Sequence, residues 1–201
     1  VNGAHTAHGV PARATHWVIH WAVVVIGAVL VVVLGGCADT PPPAAPPDVA
    51  AVDTDYARTM VGHHEQALAL AALVPGRSSS PDVADLAFRI DRAQVEEVGQ
   101  LQGFLRARGA PADPGPAMAV MDGMAATATL DRLRTLFGPA FDRLWLQTMT
   151  THHEGALAMA RRHLAATGGA ASASALAEFS RTLLVAQQAE IDRMRGLLAR
   201  G

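Results

Sequence analysis

Two short stretches hold most of the side chains that could do chemistry. They are Met60-Val61-Gly62-His63-His64-Glu65 and Met149-Thr150-Thr151-His152-His153-Glu154. The likeness continues through Ala67-Leu68-Ala69 and Ala156-Leu157-Ala158. Soft thioether and imidazole donors on one stretch suit a transition metal, copper first. Their recurrence implies a domain made of two similar halves.

A second pair of positions points the same way. The apolar stripe Val83, Leu86, Ile90 runs at helical spacing onto Gln94 and Glu97 before it reaches Leu101 and Phe104 or Leu105. Further on, Ser180 and Leu183 lead to Gln187 and Glu190, then to Met194 and Leu197. Each half thus places a Gln-x-x-Glu pair inside its own hydrophobic stripe. A buried carboxylate without a partner is costly, so Glu97 and Glu190 require partners near the centre of the domain. The histidine pairs are the obvious ones. Glu65 and Glu154 follow the histidines directly, at about 100° of helical rotation per residue, and point toward solvent or a neighbouring helix.

Four long helices are needed to hold these groups. The first is expected from about Asp53, as N-cap, to Leu73, ending at Pro75-Gly76. The second starts at Pro81 with Ser80 as cap and runs to about Arg108. The third opens at Gly138-Pro139 and ends near Thr167-Gly168-Gly169, and the fourth runs from about Ser174. Between the second and third lie a Pro- and Met-rich connector holding Met118, Met121 and Met124, and a short helix over about Leu130 to Phe137. No strand-like alternation of useful length is present, so the class is all-α: a four-helix bundle of two similar hairpins. On the third long helix Met149, His152, His153, Met159 and His163 share one broad face. Leu70 and Val74 stand where that face has Met159 and His163, which predicts the stronger metal site in the second half.

The first fifty residues read differently. Trp21 to Leu34 is a nearly unbroken apolar run, the length of a signal-peptide core and short of the ~20 residues a spanning helix requires. Leu34-Gly35-Gly36-Cys37 follows it and resembles a bacterial lipobox, which implies cleavage before Cys37 and attachment of lipid, palmitate included, at that residue. Residues 1–36 are then a signal peptide. Residues 37–52, with Pro41, Pro42, Pro43, Pro46 and Pro47, form a stiff tether, and residues 53–201 form the bundle domain. The expected location is the extracytoplasmic face of the cell membrane, through a lipid anchor. His5, His8, His16 and His20 belong to the leader and not to a metal site. A single cysteine excludes an internal disulfide. Without residues 1–37 the chain keeps 15 arginines against 18 carboxylates and no lysine, which is no nucleic-acid footprint.

Met-x-x-His-His-x-x-Ala followed by Gln-x-x-Glu-[Val/Ile], twice over, resembles the bacterial domain-of-unknown-function family numbered 305, across residues 54–199. The resemblance implies a ferritin-like four-helix bundle, export, and copper binding or tolerance in some members. It matches Met60, His63, His64, Gln94, Glu97, Met149, His152, His153, Met159, Gln187, Glu190 and Met194. Leu70 and Leu101 depart from it, each standing where the family has methionine.

Three functions compete. The first is a lipid-anchored copper-binding module for sequestration or trafficking, with Met60, His63, His64, Glu97, Met149, His152, His153, Met159 and Glu190 around the ion and no catalytic residue. The second is a di-metal redox enzyme of ferritin type. Such enzymes use Glu-x-x-His motifs, and this chain has none. The third is a metal-free interaction domain with a polar His/Glu core.

Overall fold

The computed structural model describes residues 48–113, 121–169, 172 and 174–200. These lie in one compact unit, Ala44–Gly201. Cys37, the apolar run and Met118 fall outside the described residues.

Five helices make up the described chain: α1 Val49–Ala71, α2 Pro81–Ala107, α3 Thr127–Thr135, α4 Gly138–Ala166 and α5 Ala177–Leu198. Among the described residues there is no strand, as the hydrophobic spacing requires. α1 packs on α2 and α4 on α5, forming two hairpins. α1 and α4 join the hairpins, and α3 leans on α4. Both histidine motifs therefore lie on the two helices that meet at the centre. No described helix is long and apolar enough to cross a membrane.

Two helix starts differ from expectation. α1 begins a turn early, with Asp48 as its N-cap, accepting from the Ala50 amide at 2.9 Å. Asp53 is instead buried inside the helix. Pro46-Pro47 cannot continue a helix, so the first residue able to cap comes directly after them. α5 begins at Ala177 and not at Ser174. The Ser174 hydroxyl is drawn to Asp53 at 2.5 Å while accepting from the Leu176 amide at 3.0 Å. Ser80 caps α2 as expected, accepting from the Val83 amide at 3.3 Å.

The core follows the stripes read from the sequence. Val83, Leu86, Ile90, Leu101 and Leu105 of α2, and Leu183, Ile191 and Met194 of α5, are buried. Trp145 and Phe141 of α4 are fully buried, the Phe141 side chain contributing about 1.5–3 kcal/mol. The Trp145 indole donates to the Leu70 carbonyl at 2.8 Å, tying α4 to the end of α1.

Candidate metal centre

All four motif histidines lie inside the bundle. His63, His64 and His153 have no exposed surface and His152 has 1 %. At helical spacing each pair sits one turn beyond its methionine, and Met60 and Met149 are also fully buried. The two halves meet at equivalent residues: the His63 and His152 rings stack with centroids 3.9 Å apart, tilted by 38°. The outer histidine of each pair turns away from that stack, with centroids 6.3 Å apart in one half and 6.2 Å in the other.

Three of the four imidazoles spend Nε2 on an oxygen partner. His64 Nε2 bonds Glu97 Oε2 at 2.7 Å, and His153 Nε2 bonds Glu190 Oε2 at 2.9 Å. The same bond thus forms in both hairpins, as the aligned Gln-x-x-Glu pairs predict. His63 Nε2 donates to the Asp122 carbonyl at 3.0 Å. His63 Nδ1, His64 Nδ1, His152 Nε2 and His153 Nδ1 are each buried without a hydrogen-bond partner among the described residues.

Burial sets the charge of the central stack. Desolvation, helped by neighbouring His64, pushes His63 from 6.5 down to about 3. Desolvation, then the facing His63, holds His152 well below its ordinary value. Both rings are neutral near pH 7, the form in which an imidazole ligates a metal. In that form His63 carries its proton on Nε2, and the orphan Nδ1 is a lone pair.

Among the described residues no three His, Cys, Asp or Glu side chains converge on one point as a metal cluster. Met60, Met149 and Met194 are fully buried in the core, and Met159 is 6 % exposed. Glu97 and Glu190, expected around the ion, face the outer histidines from the rim, with side chains 16 % and 21 % exposed. The Gln94 and Gln187 side chains are buried, each with an unpartnered amide oxygen. Glu65 is exposed, and Glu154 pairs with Arg195 on the surface at 2.6 Å, as their positions after the histidines predict.

His163 departs from the reading that made it an extra ligand of the second half. Both of its nitrogens are engaged, Nε2 with Asp53 Oδ1 and Nδ1 with Ser180 Oγ, each at 2.8 Å. Tyr56 stacks on it at 4.1 Å. The Asp53 carboxylate also accepts from Ser174 and from the Ala175 amide at 3.2 Å. This network joins α1, α4 and the start of α5. Sequence reasoning missed Asp53 and Tyr56, yet Asp53, Tyr56, Met60, His63, Ala67 and Leu70 recur at helical spacing, which marks the buried stripe of α1.

The model of the DUF305 family, a domain of unknown function, matches residues 53–198. The chain belongs to this family. As a DUF305 domain it is similar to a family fragment from Deinococcus radiodurans, at 34 % identity and TM-score 0.66, over 80 % of this chain and 100 % of that one. It is also similar to a DUF305 protein from Streptomyces coelicolor described as secreted, at 30 % identity and TM-score 0.66, over 76 % and 95 % of the two chains. CopM in its Cu(I)-bound form shares the fold at 23 % identity and TM-score 0.60, over 74 % and 96 %. A search of curated proteins gives no match.

Proposed function

We propose that this DUF305 domain is an extracytoplasmic copper-binding module that sequesters or passes on the ion without catalysing a reaction. One observation carries the reading: four buried histidines each leave one ring nitrogen without a partner among the described residues, and three of them anchor the other nitrogen on an oxygen. Unpaired buried polar atoms are costly, and four together at the meeting of two repeats fit a ligand that supplies the missing partner. Imidazole beside buried thioether favours copper, Cu(I) above all. The residues that would supply its ligands, in subsets and not all on one ion, are His63, His64, His152 and His153 with Met60, Met149 and Met159. CopM, of the same fold, has been seen in Cu(I)-bound and Cu(II)-bound forms, which supports the choice.

Glu97 and Glu190 would act one step back. A carboxylate on Nε2 fixes the tautomer and ring orientation and raises the basicity of the other nitrogen. This assigns the carboxylates to orientation, whereas a carboxylate-bridged redox centre would need them on the ions themselves. The Leu34-Gly35-Gly36-Cys37 sequence supports a lipid tether at the outer face of the membrane, with residues 37 to about 48 as spacer. The secreted description of the Streptomyces coelicolor relative supports export.

Competition titration of the purified domain with Cu(I), against Zn(II) and Fe(II), tests the reading. It expects tight Cu(I) binding that falls at least tenfold when His63 and His152 are both replaced by alanine. Equal affinity in wild type and double variant would refute it.

A further inference from the structure

The two motifs differ immediately after their common His-His-Glu: the first has Gln66 where the second has Gly155. Both divergent residues serve the same object, the connector over residues 121–126. Gln66 clamps it from α1. Its Oε1 accepts from the Ala125 amide at 2.6 Å and its Nε2 donates to the Ala125 carbonyl at 3.1 Å. Gly155 admits it from α4. A Cβ on Gly155 would fall on the Asp122 carbonyl and 2.9 Å from the Gly123 Cα. Gly123 has a φ of 76° and is itself closed in by the α4 backbone, a conformation and an approach that suit only glycine. Arg162 of α4 pairs with the Asp122 carboxylate and holds the same turn from the surface.

The seated connector places one backbone carbonyl inside the centre, that of Asp122 on His63 Nε2 at 3.0 Å. The repeat-equivalent nitrogen, His152 Nε2, has no such partner among the described residues. We propose that Gln66 and Gly155 are positioning residues for His63: by seating the connector they hold the imidazole as its Nε2–H tautomer and keep Nδ1 as the lone pair presented to the metal. Divergence at one repeat position, a clamp in one half and a gap in the other, thus makes two equivalent histidines chemically distinct. The same turn carries Met121, packed against the core, and Met124 to this end of the motif helices.

This inference rests on the copper reading for its purpose but not for its geometry, and one experiment separates the two. Long-range 1H–15N NMR of the metal-free protein reports which ring nitrogen of His63 carries the proton. The wild type is expected to show Nε2–H alone. Gly155→Ala, which must lift the Asp122 carbonyl, should give a tautomer mixture and a Cu(I) affinity at least tenfold weaker. Gln66→Ala adds no atoms and should do the same to a smaller degree, so the test survives if Gly155→Ala fails to fold. An unchanged His63 tautomer in a folded Gly155→Ala protein, or in Gln66→Ala alone if the glycine variant does not fold, overturns the proposal, whatever copper does. A shifted tautomer with no copper bound by any form, wild type included, upholds the positioning role and removes the copper reading.

Discussion

His63 and His152, equivalent residues of the two repeats, stack on one another at 3.9 Å in the middle of the bundle. An approximate two-fold axis relating the hairpins would pass between these rings, because each is the other's repeat counterpart. Both rings are buried and face other imidazoles, so each resists protonation.

That resistance gives the metal-free protein an acid-sensitive stability. His63 titrates near 6.5 when unfolded and near 3 when folded, so the unfolded state binds the extra proton between those values. Stability contributed by the neutral ring is complete above about pH 6.5 and drains away as pH falls toward 3. The slope is about 1.4 kcal/mol per pH unit for His63, and His152 adds in the same direction. Urea denaturation between pH 7 and 4 should show this slope, and His63→Gln should reduce it, with the His152 contribution remaining. A flat wild-type profile would show that the stack does not set acid stability.

The buried pair Asp53 and His163 should behave as structure and not as ligand. Their side chains are 2 % and 1 % exposed, and removing one partner strands the other. His163→Ala should cost about 3–5 kcal/mol of stability while leaving the number of copper ions bound unchanged. Chemical denaturation beside copper stoichiometry checks it. Loss of a bound ion from a folded His163→Ala protein would restore His163 to the ligand set.

Glu97→Gln and Glu190→Gln should weaken copper binding by about 10–100-fold without unfolding the domain, because the amide keeps the space but not the charge that raises the basicity of His64 or His153. Equal loss from the two substitutions is expected, since the two bonds match at 2.7 and 2.9 Å. Affinity unchanged in both variants would deny the carboxylates an orienting role.

The tether reading is tested at Cys37. Metabolic labelling with palmitate should mark the wild type and spare Cys37→Ala, which should also be processed differently. Labelling that survives the substitution would exclude this cysteine as the anchor.

Much of this was legible in the sequence. The helices, the inward histidines and the Glu97 and Glu190 bonds follow from apolar spacing, because a carboxylate within a buried stripe must find a partner. The placement of Asp53 was not, because an aspartate near a helix start reads equally as a cap. Only the buried stripe of α1, followed back one turn from Tyr56, distinguishes the two. The engagement of His163 depends on Ser180 and Asp53, 17 and 110 residues away, and no local pattern carries such contacts. The seat of the connector needed the backbone, since Gly155 matters for what approaches it and not for what it contributes.

The central claim is that copper is held here by buried imidazole and thioether together. X-ray absorption at the copper edge of the Cu(I)-loaded domain tests it most directly. The account predicts a mixed shell of nitrogen and sulfur, the nitrogen component reduced in the His63→Ala, His152→Ala double variant and the sulfur component reduced in Met60→Leu, Met149→Leu. A shell of nitrogen and oxygen alone, the same in wild type and both variants, would contradict it.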